Sequence, residues 1–415
     1  MIATEYCKKV FDGTHDSPKP VENGRLLITS KHIANRNLDI SSAYLISEED
    51  FENVNKRSQV HQWDILFSMI GTVGNVYIET SEKIDYAIKN MGVFSCQNKE
   101  KAYWLYYYLQ SPLVQAKIDA LMAGAVQKFV PLGFLRDLDI PEYTENSKKV
   151  VQVLSALDDK IALNKKMNQK LETMAKRLYD YWFVQYDFPD KNGHPYKTTG
   201  GPMTYNPTLK REIPVGWEVK TLKECIKHIN TGLNPRDNFV LGNGDIKYVT
   251  VKNLTTEGNI DFSGCDLIDE DALKKVHKRS DIAKGDVLYA SICPLGRSYL
   301  INKDPIGWDI NESVFSIRPN LDVISSEFLS MFLKDSAVVE KASKMATGSI
   351  FKGIRIKELE NMIFAVPAKN VMESFSKQIK NLIELEHKNI EETTRLTALR
   401  DKLLPLLMNG QVVVG

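Results

Sequence analysis

The sequence lacks the common motifs, each defined by residue types at fixed spacing, by which catalytic sites are recognised. It contains no GxxxxGK[ST] phosphate loop, no GxGxxG after a strand and no HExxH. Asn206-Pro207 and Asn234-Pro235 do not continue as the NPPY-type motif of adenine methyltransferases. The seven histidines do not cluster with acidic residues at the spacing of metal ligands. We therefore expect a non-catalytic chain without a metal site.

Two short segments could still be considered for chemistry. Asp12-Gly-Thr-His15 has the residue types of an Asp/His site, but Asp-Gly is a common turn former, which favours a loop anchor. Glu218-Val-Lys220 loosely matches part of a nuclease motif, but such triplets are frequent. Neither segment changes the expectation.

Another set of polar residues suits nucleic-acid contact. Lys and Arg bind phosphates, and Arg, Lys, Asn, Gln, Ser or Thr on protruding loops bind base edges. The candidates in the first half are Lys31, Asn35, Arg36, Arg57, Gln127 and Lys128. Those in the second half are Lys252, Asn253, Arg279, Arg297, Ser349 and Lys352. For each residue, a solvated surface charge is the competing interpretation.

These candidates recur because the chain contains an internal repeat with an offset of about 222 residues. Asp64-Ile-Leu-Phe67 aligns with Asp286-Val-Leu-Tyr289, and Val93-Phe-Ser95 aligns with Val314-Phe-Ser316. The same offset pairs Lys31 with Lys252, Arg57 with Arg279 and Lys128 with Lys352. Recurrence at matching places strengthens the binding interpretation of these three pairs.

The aromatic run 103–108, at helical spacing, is expected in the core rather than stacked on bases.

Each half ends in a long helix that has to position these residues. Apolar and amide residues recur in alternating steps of three and four, as in a coiled coil. The predicted seam positions of the first helix include Leu154, Leu157, Ile161, Asn164, Asn168, Leu171 and Leu178. Those of the second include Leu382, Asn389, Leu396, Leu399 and Leu403. One such seam needs a partner, and this chain carries two.

The two asparagines in the middle of the first seam have two interpretations. A buried pair of Asn residues fixes the register and orientation of a coiled coil. The alternative is that Asn164 and Asn168 belong to a docking surface for other subunits. We favour register, because the second helix is also polar in its middle, at Asn389 and Glu392.

The predicted fold class is α+β, with two pseudo-repeated α/β domains separated by two long antiparallel coiled-coil helices. We predict a first recognition domain over 1–145, a spacer helix over 146–183 and a connector over 184–212. A second recognition domain follows over 213–368, and a C-terminal spacer helix over 369–410. A spacer of roughly 50 Å exceeds one turn of B-DNA. Two separated contact patches of this kind suit duplex DNA, which has its own approximate dyad.

The composition mainly excludes classes of protein, such as membrane-spanning or strongly basic ones. Hydrophobic residues make up 43% and charged residues 26%, as in a globular protein, and no apolar run is long enough to cross a membrane. The five cysteines are scattered and never spaced as CxxC, which predicts a reduced, cytoplasmic protein. The net charge is only +1, so any basic surface must be local.

The sequence resembles the specificity subunit of type I restriction-modification enzymes over essentially its whole length. The resemblance is most specific in Leu157-Asp-Asp-Lys-Ile-Ala-Leu-Asn164, Trp182-Phe-Val184 and Asp187-Phe-Pro189. It is also seen in Ile213-Pro-Val-Gly-Trp-Glu218 and in the ending Leu403-Leu-Pro-Leu-Leu-Met-Asn-Gly410.

The resemblance implies two target-recognition domains, each reading one half of a bipartite, asymmetric site in double-stranded DNA. It implies helices that are spacers and docking sites for two methyltransferase subunits. Those partners methylate adenine with S-adenosylmethionine, and motor-nuclease restriction subunits add ATP- and Mg-dependent cleavage. The chain itself would bind no cofactor.

Two rival interpretations remain open. One is the recognition subunit of a related system whose methyltransferase and nuclease are fused in one other polypeptide. The other, from a different class, is a coiled-coil scaffold that binds only proteins and not DNA.

Overall fold

The computed structural model describes residues 1–34, 36–123, 128–348, 352–412 and 414. The chain divides into two compact units, which we call unit 1 and unit 2. Unit 1 consists of residues 1–164 and 391–415, and unit 2 of residues 165–390.

Unit 1 contains two main sheets with helices packed against them. Its strands are β1 (Lys9–Asp12), β2 (Arg25–Thr29), β3 (Ile33–Ala34), β4 (Asn37–Leu38), β5 (Tyr44–Ile46), β6 (Asp64–Ser68), β7 (Val76–Ile78), β8 (Tyr86–Lys89) and β9 (Met91–Ser95). Its helices are α1 (Ala3–Tyr6), α2 (Glu48–Ser58), α3 (Lys99–Leu109), α4 (Pro112–Met122), α5 (Leu132–Arg136) and the first part of α6 (Glu145–Tyr179). One sheet has the order β1-β9-β6-β7 and is antiparallel; the other has the order β5-β2-β8.

Local sequence explains these elements. All five residues of β6 are buried, because this strand lies between β9 and β7 with both of its faces covered. Asn98 is the N-cap of α3, and its side chain accepts a hydrogen bond from the Lys101 amide. Ser111 is the N-cap of α4, whose first residue is Pro112. In the aromatic run of α3, residues 104–108 are buried and Tyr103 is half-buried against the same core, in agreement with the predicted place of the run.

Unit 2 contains the same two kinds of sheet. Its strands are β10 (Met203–Asn206), β11 (Arg211–Pro214), β12 (Glu218–Thr221), β13 (Ile226–Thr231), β14 (Ile246–Val249), β15 (Asp266–Ile268), β16 (Val287–Ala290), β17 (Ser298–Leu300), β18 (Trp308–Ile310), β19 (Val314–Pro319) and β20 (Ile363–Val366). Its helices are α7 (Leu222–Cys225), α8 (Glu270–Ser280), α9 (Ser326–Lys334), α10 (Ser336–Met345), α11 (Ile356–Glu360) and most of α12 (Lys369–Met408), together with the end of α6 and a π-helical turn at Asp180–Val184.

The strand order shows that the sequence repeat is a repeat of the fold. The order β13-β19-β16-β17 in unit 2 matches β1-β9-β6-β7 in unit 1, and β15-β14-β18 matches β5-β2-β8. In both three-stranded sheets the central strand pairs in parallel with the last strand. Gly13 follows β1 and Gly232 follows the equivalent strand β13, and a Cβ at either would overlap the carbonyl of Ile88 or Ile310, respectively. Both units therefore need glycine at the same close approach.

The fold class is α+β, as predicted. In unit 1 the end of α12 packs antiparallel on the start of α6: Leu154 shares one core with Leu404 and Leu407. Further along, Ile161 is buried, and the Asn164 side chain donates a hydrogen bond to Glu392 over 2.7 Å.

In unit 2 the pairing of α6 with α12 is again antiparallel. The Asn389 side chain donates to the Asn168 side chain over 2.8 Å, and Asn168 donates to the Glu386 carbonyl. Leu171 is buried, while Leu178 and Leu382 pack against the aromatic core of the unit. Asparagine contacts across the helix pair are what the register interpretation requires.

One predicted seam position is wrong. Leu399 is 46% exposed, and its neighbour Arg400 is buried against α6 instead. Leu157, Leu396 and Leu403 are half-buried. A strict alternation of three and four gives 3.5 residues per turn, whereas a straight α-helix has 3.6, so a seam extrapolated from Phe375 drifts by about 20° per heptad. After more than three heptads the drift approaches one residue.

Candidate nucleic-acid interface

A short 3₁₀ turn follows the central strand of the three-stranded sheet in each unit. In unit 1 it is Ser30–His32, after β2; in unit 2 it is Val251–Asn253, after β14. The amide of Thr29 donates to His32 Nδ1 over 2.8 Å, and the amide of Thr250 donates to Asn253 Oδ1 over 2.9 Å. Both capping side chains are buried. The sequence thus builds the same rigid turn twice, with different residues.

Lys31 and Lys252 occupy the middle of these turns, and both are exposed. An exposed lysine on a turn held by a buried cap is suited to a phosphate contact, because its ammonium group is solvated and little backbone entropy is lost on binding. Loop Ile70–Asn75 supports the turn of unit 1, since the Asn75 side chain donates to the Ile33 carbonyl over 3.0 Å.

Arg57 and Arg279 also occupy corresponding places. Arg57 lies in the last turn of α2 and Arg279 in the last turn of α8, and both are exposed. The Arg57 guanidinium donates to Asp12 over 3.0 Å while 69% of its side chain is exposed. Asp12 therefore holds one terminal nitrogen of the guanidinium without burying the side chain.

Lys128 and Lys352 are exposed, and each lies beside the loop that follows one inner strand of the four-stranded sheet, β6 in unit 1 and β16 in unit 2. Phe129, next to Lys128, forms a β-bridge with Ile70, and the Lys352 carbonyl accepts a hydrogen bond from the Cys293 amide. In unit 1, loop Ile70–Asn75 therefore contacts both the turn that carries Lys31 and the segment that carries Lys128. The other predicted residues of these loops, Asn35, Gln127 and Ser349, lie outside the described residues.

The structure corrects two predicted contact residues. Asn253 is 4% exposed, and its side chain caps the 3₁₀ turn and donates to the Asp261 carbonyl. The side chain of Arg36 is 18% exposed and faces Asp158 and Asp401 at 3.7 and 3.6 Å. Both side chains hold loops in place inside their units.

Arg297 is half-buried rather than fully exposed. Arg297 lies close to Glu257, and partial burial by itself would raise the pKa of the Glu257 carboxyl. Hydrogen bonds from the Glu257 amide and from neighbouring threonines, with a smaller effect of Arg297, instead hold the pKa of that carboxyl below its ordinary value. Arg297 is thus partly engaged within the unit.

Residues that the sequence did not indicate as contacts complete the surface of unit 1. His15 lies between Asp12, at 3.0 Å, and the Asn90 side chain, at 2.9 Å. The Asn90 carbonyl accepts a hydrogen bond from the Ser30 hydroxyl, so this cluster adjoins the turn that carries Lys31. Asp12-Gly-Thr-His15 is therefore a loop anchor in the structure. The sequence of this segment indicated a loop anchor, but it could not indicate the partner Asn90, which is distant in the sequence.

The exposed lysine and arginine side chains of this surface are suited to contact with anions. Across the described ranges, no group of three or more His, Cys, Asp or Glu side chains could hold a metal ion. Over the same ranges, no helix is sufficiently long and apolar for a membrane span.

The profile of the type I restriction modification DNA specificity domain matches residues 19–173 and 214–395, and thus most of the chain. The chain belongs to this family. It is a type I restriction-modification specificity subunit, and its function is the recognition of DNA sequence. The two matched regions each contain one copy of the 3₁₀ turn and its exposed lysine.

Two similar proteins are specificity subunits themselves. The specificity subunit of the type I restriction enzyme MjaIX of Methanocaldococcus jannaschii is 27% identical over 325 residues, which are 75% of this chain and 69% of that protein. The HindI specificity subunit of Haemophilus influenzae is 22% identical over 330 residues, 66% of this chain and 69% of that protein.

The fold has a counterpart among solved structures. The S subunit of a type I restriction-modification system from M. genitalium superposes with a TM-score of 0.58 at 16% sequence identity. The match covers 98% of this chain and 95% of that chain. At this identity the likeness concerns the fold.

Proposed function

We propose that this specificity subunit reads a bipartite site in double-stranded DNA, one half-site through each unit. The observation that carries the proposal is the repetition of three exposed basic positions on the same local scaffold. Lys31 and Lys252 occupy equivalent 3₁₀ turns, Arg57 and Arg279 end equivalent helices, and Lys128 and Lys352 lie beside equivalent loops. Two similar but non-identical surfaces suit a site made of two different halves.

The proposal assigns catalysis to partner subunits. Two methyltransferase subunits would bind S-adenosylmethionine and methylate adenine, and motor-nuclease subunits would use ATP and Mg. The helices α6 and α12 would act as spacer and docking sites. The lack of recognisable catalytic motifs in the sequence supports this division of labour.

Single substitutions test the DNA surfaces. Lys31→Ala and Lys252→Ala should each weaken DNA binding by the complex with the methyltransferase subunits. Each should also reduce the slope of log affinity against log salt by about 1, because one phosphate contact is lost. Lys344→Ala is the matched control, since Lys344 is exposed but pairs with Glu340 on its own helix. Fluorescence anisotropy at several salt concentrations measures both quantities. Equal effects of all three substitutions would count against the assigned surfaces.

A second experiment tests the spacer. Deleting seven residues from the middle of both α6 and α12 shortens each helix by roughly 10 Å, which is about three base pairs. We expect methylated-adenine sequencing in a host carrying the complete system to show unchanged half-sites with a shorter gap. Altered half-sites with an unchanged gap would contradict the spacer function.

A further inference from the structure

Two of the five cysteines lie against each other in unit 1. The sulfur atoms of Cys7 and Cys96 are 3.6 Å apart, and one thiol donates a hydrogen bond to the other. Both thiols are free. A disulfide bond is about 2.05 Å long, so a movement of roughly 1.5 Å would bring the two sulfur atoms to bonding distance.

Main-chain pairing of β1 with β9 holds the two cysteines at this separation. Cys7 lies two residues before β1, and Cys96 directly follows β9. Lys9 is paired with Ser95, and the Lys8 amide donates to the Ser95 carbonyl over 2.9 Å. Neighbouring antiparallel chains lie at the Cα separation that a disulfide spans. A bond between the two sulfur atoms therefore needs side-chain movement and no rearrangement of the strands.

The two thiols differ in their access to solvent. Cys7 is only 4% exposed, whereas Cys96 is half-buried. The hydrogen bond with Cys96 and burial raise the pKa of the Cys7 thiol, while the charge of the Lys101 ammonium group acts in the opposite direction. Cys7 therefore keeps its proton, and Cys96 is the sulfur that a small oxidant reaches from solvent.

Unit 2 has a cysteine at the corresponding place, but not a pair. Cys225 directly precedes β13, the strand equivalent to β1, and its carbonyl accepts a hydrogen bond from the Asn320 amide at the end of β19. Neither β19 nor the residues that flank it include a cysteine. Cys225 thus shares the position of Cys7 in the fold without a cysteine on the paired strand.

We propose that Cys7 and Cys96 form a site of reversible oxidation, at which a hydroperoxide converts the two thiols into a disulfide. First, the Cys96 sulfur attacks a peroxide oxygen and becomes a sulfenic acid; the O–O bond breaks, and the other oxygen leaves with the thiol proton as water or an alcohol. Next, the Cys7 sulfur attacks the Cys96 sulfur, the S–O bond breaks, and the hydroxyl leaves with the Cys7 proton as water. Each sulfur loses one electron and the peroxide gains two. A dithiol reductant reverses the reaction.

The disulfide would hold an edge strand in place. β1 is the outermost strand of its sheet and pairs with β9 on one side. The cross-link lies at one end of this strand pair, while Asp12, at the other end of β1, holds Arg57. Oxidation should therefore stabilise unit 1 and leave the residues assigned to DNA contact in place. The inference does not depend on the DNA-binding proposal.

Treatment of the full chain with hydrogen peroxide tests the site. Remaining thiols are blocked with N-ethylmaleimide, and peptides are mapped by mass spectrometry before and after reduction with dithiothreitol. We expect a linked pair of peptides containing Cys7 and Cys96, which disappears on reduction. Hydrogen exchange of the β1 and β9 amides should slow on oxidation, because the cross-link restricts the opened chain.

Matched variants make the test specific. Cys7→Ser should stop the reaction at the Cys96 sulfenic acid, which dimedone traps, and peroxide should then no longer slow exchange in β1. Cys225→Ser should behave as the unsubstituted chain does. Absence of the peptide pair joining Cys7 to Cys96, or an equal yield of peptides joining either residue to the exposed Cys293, would overturn the proposal.

The peptide map of the unsubstituted chain decides the outcome by itself, so a folding defect in a variant does not affect the test. Circular dichroism shows whether each variant folds. The reaction is measured on the isolated chain, and failure of the DNA-binding experiments would therefore leave its result unchanged.

Discussion

The two units join their sheets to the helix pair through different chemistry. In unit 1 the contact is a polar network: Asp158 accepts hydrogen bonds from the Tyr107 hydroxyl over 2.8 Å and from Arg400 over 2.7 Å. In unit 2 the same region is a cluster of aromatic rings around Phe375, which has no exposed surface. The repeat aligns Arg400 with Tyr179 and Asp158 with Ile379. One architecture thus tolerates either solution.

The difference shows which interactions stabilise the contact between the sheets and the helix pair in each unit. An aromatic cluster stabilises through buried area and ring contacts, and it needs no partner of fixed charge. A polar network contributes only while all its members are present, because each becomes an unpaired buried group when its partner is removed. Unit 2 should therefore lose stability on truncation, and unit 1 on loss of charge.

The largest effect is expected for Phe375→Ala in unit 2. This substitution removes ring contacts with Tyr179, Trp182 and Phe183 and leaves a cavity, at a cost of about 4 kcal/mol. Urea denaturation followed by tryptophan fluorescence, with hydrogen exchange to locate the change, measures the loss. Leu385→Ala is the control, because Leu385 is 41% exposed. A loss below about 1 kcal/mol would remove the contrast between the units.

In unit 1, Asp158→Ala should destabilise by about 3 kcal/mol. Arg400 is largely buried, and although burial lowers its pKa, the hydrogen bond and charge of Asp158 raise it above its ordinary value. The substitution leaves that cation without its main partner and frees the Tyr107 hydroxyl. Hydrogen exchange of α3 amides should increase, while that of α9 should not. Asp159→Ala, at an exposed neighbouring position, should change neither.

A smaller effect concerns pH and unit 2. Burial raises the pKa of Glu386 in the folded protein from the ordinary 4.5 to about 7, so the folded protein binds an extra proton between these values. The free energy of unfolding should therefore fall as pH rises, by on the order of 1 kcal/mol from pH 6 to pH 8. Glu386→Gln should remove this dependence in chemical denaturation at the two pH values. The same slope in both proteins would assign the effect to other groups.

Periodicity and repetition made much of the fold predictable. Strand β2 and helix α3 follow from short apolar runs bounded by turn formers and caps, and the long helices follow from spacings of three and four. The offset of the repeat predicted that both units contain the same elements. Periodicity and the repeat each depend on many residues, so a single substitution does not remove either pattern.

The roles of individual polar side chains were less predictable. Asn253 and Lys252 are neighbours of similar polarity, yet one caps a buried turn and the other is exposed. Arg36 reaches Asp158 through a contact between residues that are distant in the sequence. Such partners depend on tertiary geometry. The exposed lysines were identified because they recur, and Asn253 was misassigned because its equivalent, His32, is a different residue with the same capping function.

In each copy of the duplicated 3₁₀ turn, the residue that holds the turn is not the residue that the turn exposes. The conformation of the turn depends on buried caps, whereas the exposed lysine contributes no contact that the turn requires. Substitutions at the exposed position should therefore be almost neutral for folding and can accumulate independently in each copy. Under the proposed function, the strength of DNA binding by one unit can therefore change without a compensating change in the other, because a phosphate contact contributes affinity and carries no sequence information.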